Sequence, residues 1–130
     1  KEFKLLPALM QDFSQANCQA AARAIAEYAR GRSVLLVASS DMTHYEPQES
    51  AKKKDTQAIN AILELNEDEL LNRIEKLNIS MCGYAPTATL ISAAKELGAK
   101  RAELVRYQTS GDVTGDYSGV VGYAGIILKR

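Results

Sequence analysis

Apolar positions along this chain switch between short continuous runs and helical spacing, and the switches mark out its elements. Phe3 to Met10 is an apolar run of strand length. From Gln15 to Arg30, Ala20, Ala21, Ala24, Ile25 and Tyr28 recur at helical spacing in an alanine-rich segment, and Gly31 stands where a helix ends. Val34-Leu-Leu-Val-Ala38 reads as a buried strand, so the opening residues predict a strand–helix–strand unit with a parallel crossover. Pro47 permits a second helix in which Ala51, Asp55, Ala58, Ile59, Ile62 and Leu63 share one face. Only Asp55 interrupts the apolar character of that face.

Asn66-Glu-Asp-Glu69 has the form of a capping box ahead of a short helix bearing Leu70, Leu71, Ile74 and Leu77. A brief segment, Ile79 to Cys82, leads into a helix with Pro86 at or near its first position and Gly98 at its end. Glu103 to Thr109 and Val120 to Leu128 predict strands joined by the turn-rich Ser110–Asp116 stretch. Gly122 and Gly125 in the last strand mark a close backbone approach or a bulge. The pattern predicts an α/β fold: a layered mixed sheet, mostly parallel with an antiparallel carboxyl-terminal pair, flanked by helices in a single domain over residues 1–130.

The composition narrows the function classes. Sixteen basic and sixteen acidic residues cancel, which argues against a nucleic-acid binder. Lys52-Lys-Lys54 reads as a solvated helix face, with Asp55 following at once. No stretch approaches the ~20 apolar residues of a membrane span. Two cysteines without C-x-x-C spacing, Cys18 and Cys82, point to a reduced, cytoplasmic setting. The chain opens on Lys1, which fits a processed start, a trimmed tag or a piece of something longer.

Candidate chemistry gathers just past the second expected strand. Asp41-Met-Thr-His44 carries the single histidine of the chain, at the strand end where α/β folds place their ligands. A carboxylate and an imidazole three residues apart can share a metal ion or act as an acid–base pair. The plainer alternative is a turn aspartate and a satisfied histidine. Cys82 precedes Gly83 and a helix start, a setting that suits a nucleophilic or metal-binding thiolate, against the alternative of a small buried hydrophobe. Cys18, inside an amphipathic helix, takes the buried reading. A Cys–His–Asp triad is one arrangement of Cys82, His44 and Asp41. Oxygen, nitrogen and sulfur ligation of iron, copper or zinc is the other, and it suits a shared Asp41/His44 loop better. Asp112 and Asp116 lack a calcium-loop register, and no phosphate-loop lysine follows, so Thr109–Asp116 reads as a turn bordering a pocket.

Three segments together resemble the Memo family: Val34-Leu-Leu-Val-Ala-Ser-Ser-Asp-Met-Thr-His-Tyr-Glu-Pro47, Met81-Cys-Gly-Tyr-Ala-Pro86, and Tyr107-Gln-Thr-Ser-Gly-Asp112 with Val120-Val-Gly-Tyr-Ala124. The resemblance is to bacterial and archaeal members named for their association with a radical-SAM protein, and it spans nearly the whole chain. It implies a fold similar to class III extradiol dioxygenases, which open catechol rings with non-haem iron(II). It also implies that this chain is the carboxyl-terminal half of a longer protein whose missing amino-terminal half supplies histidines to a shared metal site. The positions carried over are Asp41, His44 and Cys82, with Tyr45 or Tyr84 lining the pocket and iron or copper favoured over zinc. Eukaryotic members carry a basic residue and a histidine where this chain has Tyr84 and Ala85, so roles tied to those residues do not transfer. The function implied is a metal cleft with oxygen-dependent redox activity; the alternatives are a non-catalytic module for a protein or peptide partner and, more distantly, a metal-free cysteine hydrolase. A sheet edge left uncovered by the absent half predicts self-association.

Overall fold

The structure is a computed structural model that describes residues 2–130. The first element is α1 (Gln15–Ala29), opened by Ser14, whose side chain accepts the Asn17 amide. It closes through Arg30 and Gly31, the latter at φ 73°. Next come β1 (His44–Glu46), α2 (Gln48–Leu63), α3 (Glu67–Lys76) and α4 (Tyr84–Glu96), followed by β2 (Arg101–Thr109), the short α5 (Gly111–Thr114) and β3 (Val120–Lys129). Pro47 caps α2 from outside, and Gly98 at φ 94° follows α4. Asn66 accepts the Glu69 amide at 3.0 Å, so half of the expected capping box forms. Glu69 turns its own carboxylate to Arg73 and Asn72 instead.

The main core lies between α2, α3, α4 and one face of the sheet. Ile59, Ile62, Leu70, Ile74, Met81 and Ile91 are buried there, and Tyr107, Ile126 and Leu128 pack against them from the strands. Each such side chain removed from water contributes on the order of 1.5–3 kcal/mol. Ala22 and Ala26 of α1 meet Ala93 of α4, and small side chains let those two helices approach closely. Cys18 is buried there too, its thiol directed at the Ala85 carbonyl, in keeping with the hydrophobe reading.

The sheet corrects the expected topology. Among the described residues it has three strands in the order β1-β3-β2, and both pairings are antiparallel. The expected carboxyl-terminal antiparallel pair is present; the mostly parallel sheet is not. Neither Phe3–Met10 nor Val34–Ala38 forms a strand, so no parallel crossover is made. Their apolar side chains stand largely in solvent, Leu5 at 79% and Leu35 at 85% exposure. The physical reason is that an apolar run favours burial, but a strand exists only through a neighbour's amides and carbonyls. Among the described residues neither run has such a neighbour. α1 packs on α4 rather than bridging two paired strands.

The two glycines expected to be special each are. Gly122 lies so close to α2 that an added Cβ would fall 2.0 Å from an Asp55 carboxyl oxygen. Gly125 pairs with Arg106, next to the register shift between Leu104 and Arg106.

Candidate metal centre

The loop from Ser39 to Thr43 is fastened on all sides, and that is what brings distant residues together. Met42 donates its amide to Gly122 O at 2.9 Å, and Gly122 donates back to Thr43 O at 3.0 Å, stitching the loop to β3. On another side Ser40 Oγ accepts the Gly83 amide at 2.8 Å, which ties the loop to the chain entering α4. Cys82 precedes that glycine, so its sulfur comes to the loop, where the Asp41 amide donates to it at 3.2 Å. The contact demands a residue without a side chain. A Cβ on Gly83 would lie 2.6 Å from both Ser39 O and Ser40 Cβ.

His44 opens β1 and is held by one residue of the Ile79–Cys82 segment. Its amide donates to Ser80 Oγ at 2.8 Å, and its ring Nδ1 lies 2.7 Å from the Ser80 carbonyl. A carbonyl only accepts, so Nδ1 carries the proton of the neutral ring, the tautomer in which the Nε2 lone pair is free. Nε2 lies 3.6 Å from Asp41 Oδ2. The ligand atoms of Asp41, His44 and Cys82 all lie within 4.8 Å of one another. Asp41 and His44 are partly buried, and Cys82 is exposed.

The donor set fits a transition metal. With bonds of roughly 2.0–2.3 Å to oxygen, nitrogen and sulfur, ligand atoms on one tetrahedral ion stand about 3.5 Å apart. The Asp41–His44 separation already has that value, and side-chain rotation of about an ångström closes the rest. A carbonyl that fixes the ring tautomer is the support a metal-binding imidazole normally has. The same geometry disfavours a Cys–His–Asp triad. There the acid and the nucleophile occupy opposite ring nitrogens, whereas here Ser80 takes Nδ1 and Asp41 faces Nε2.

The two tyrosines expected to line the pocket go different ways. Tyr45 is the extra residue of a bulge, since His44 pairs with Val121 and Glu46 with Val120. It adopts φ 57°, and its exposed ring stands edge-on to His44 with centroids 5.9 Å apart. Tyr84 packs edge-on against Phe13 at 5.6 Å, beside a groove shared with α3 residues. In the 110–118 stretch, expected as a turn, Asp112 lies in the short α5 and accepts the Thr109 amide, and Asp116 accepts from Ser118, so both acids are engaged locally.

Sequence reasoning missed Ser40 and Ser80, which act through backbone placement and leave no periodic signal. It registered Asp55 only as an interruption, although this buried residue accepts the Thr43 amide at 2.9 Å.

Comparison with known proteins identifies the family. A family model described as Memo-like protein matches residues 1–127. A MEMO1 family protein of Methanocaldococcus jannaschii is 48% identical over 130 residues, covering 98% of this chain and 45% of the relative. One from Methanopyrus kandleri is 42% identical over 132 residues, covering 100% of this chain and 47% of its own. A third, from Methanococcoides burtonii, is 47% identical over 132 residues, covering 98% and 49%. The chain thus spans about half the length of these curated relatives. No described helix is long and apolar enough to cross a membrane. The family match over nearly every residue, on a chain whose Asp41, His44 and Cys82 converge, establishes that it belongs to the Memo family.

Proposed function

We propose that Asp41, His44 and Cys82 form part of a redox-active metal cleft, with iron or copper as the metal. Asp41 supplies an anionic oxygen, His44 a neutral nitrogen and Cys82 a thiolate. The observation that carries this reading is the convergence of three different ligand types within 4.8 Å, on a histidine whose Nε2 is left free by the Ser80 carbonyl. The remaining coordination positions belong to a part of the longer relatives outside this span, the amino-terminal half by family resemblance. A bound metal would supply oxygen-dependent redox chemistry of the dioxygenase-like class. The residues of this chain hold and orient: Ser80 fixes the His44 ring, the Asp41 amide holds the Cys82 sulfur, and Tyr45 walls the exposed side.

Metal content of purified protein before and after His44→Ala and Cys82→Ala tests the reading. Each variant is expected to lose at least tenfold in affinity, about the effect of disturbing even a supporting residue. Unchanged metal content in both would defeat it. In that event a non-catalytic interaction module becomes the better reading, favoured by the solvent-facing apolar residues of Phe3–Leu9 and Val34–Val37.

A further inference from the structure

We propose that Asp55 is the positioning residue of the metal cleft, acting on Asp41 and His44 through the Thr43 amide; this rests on the metal reading above. Asp55 lies on α2, on a face that is otherwise apolar, and none of it is exposed to solvent. A buried carboxyl group there is costly, and an apolar residue of similar size would ordinarily be no less stable. Its two oxygens are both engaged. Oδ1 accepts the Thr43 amide at 2.9 Å, and Oδ2 accepts the Tyr107 hydroxyl at 2.7 Å. Burial, with the Asp55 contact second, pushes the Tyr107 phenol above its ordinary range, so that hydroxyl keeps its proton and donates.

The placement of that one amide matters. Between Asp41 and His44 every backbone N–H has a separate anchor: Cys82 sulfur for Asp41, Gly122 O for Met42, Asp55 for Thr43 and Ser80 Oγ for His44. Three of these anchors are on β3 or the segment before α4. Asp55 is the single anchor from α2, and it grips the residue next to His44. Gly122 is its counterpart, because any side chain there would displace the Asp55 carboxyl and crowd Met42 Cβ at 3.1 Å. Together they set how far apart the Asp41 and His44 side chains are held.

The test uses cobalt(II) as the probe and folded protein far from its unfolding midpoint. Binding is followed through charge-transfer absorption that Cys82→Ala abolishes, and amide hydrogen exchange is measured at Met42 to His44 in metal-free protein. Asp55→Ala is expected to weaken cobalt binding about 10- to 100-fold and speed exchange at those amides. Asp55→Asn keeps an oxygen for Thr43 and is expected to restore both readouts. Should Asp55→Ala fail to fold, Gly122→Ala displaces the same carboxyl group and is expected to have the same two effects. Wild-type affinity and exchange in Asp55→Ala, or damage in Asp55→Asn equal to that in Asp55→Ala, would overturn the proposal. If wild-type protein shows no Cys82-dependent absorption, the metal reading fails, and the exchange data alone then decide whether Asp55 positions the loop.

Discussion

Gly83 shows how a single missing side chain assembles a site. Its backbone rests on Ser39 and Ser40, and its amide is the donor that Ser40 Oγ accepts. Gly83→Ala would force a methyl group to within 2.6 Å of a carbonyl oxygen, a contact that flexible side-chain motion cannot relieve. Overpacking of this kind costs about 1–3 kcal/mol. We expect a lowered thermal midpoint together with lost metal binding, since Cys82 moves with the displaced chain; a variant that melts and binds as wild type would refute this account of the loop. The candidate ligands themselves were legible in the sequence, because chemistry restricts them to few residue types. Their supports were not. Ser80 works through its carbonyl and a hydroxyl, and neither contact has a signature along a chain.

At the scale of elements, β1 is short and bulged, and its far end is secured by an ion pair as well as by the pairing of Glu46 with Val120. A hydrogen bond from the Lys54 ammonium, with a second from Ser50, holds the Glu46 carboxyl below the ordinary glutamate range. Lys54 reaches Glu46 at 2.7 Å and also donates to Asn78 O, so α2, β1 and the turn before Ile79 are joined beside His44. A depressed pKa adds stability above the ordinary glutamate range, and that contribution is lost as pH falls through the folded-state value. The urea midpoint of wild type should therefore exceed that of Glu46→Gln near neutrality. The gap should close as pH falls below the ordinary glutamate range and the Glu46 carboxylate is protonated. A gap that is constant or widens with acidity would contradict the assignment. Periodicity located all four long helices, because burial of one face needs only local spacing. It left β1 inside a loop, since His44-Tyr-Glu46 has no apolar pattern and owes its pairing to Val120 and Val121.

For the molecule as a whole, the distribution of apolar surface is the dominant feature. Leu9 at 96% and Leu35 at 85% exposure are far from the burial their residue type favours. A cleft of about 440 Å³ is lined by Val34–Ala38, by Leu90 and Ala94 of α4, and by Ile126–Leu128 of β3. β3 pairs with β1 only near Val120 and Val121, so most of its length has a neighbour on the β2 side alone. Unpaired edges next to exposed apolar residues favour association between chains. We expect this chain in isolation to elute above monomer size at micromolar concentration, and paired lysine substitutions at Leu35 and Val37 to shift it toward monomer. A clean monomer for wild type at that concentration would rule the association out.

Local patterning by itself determined the helices, the β2–β3 pair, the special glycines and the three residue types able to bind a metal. Each follows from spacing or from chemistry that a short stretch carries within it. Tertiary structure alone decided that the sheet is antiparallel, that two strand-like runs go unpaired, and that Cys82 reaches a loop some forty positions away. Those outcomes depend on which groups find partners across the fold. Partnership between distant amides, carbonyls and side chains is a property of packing in space, which no periodicity along the chain encodes.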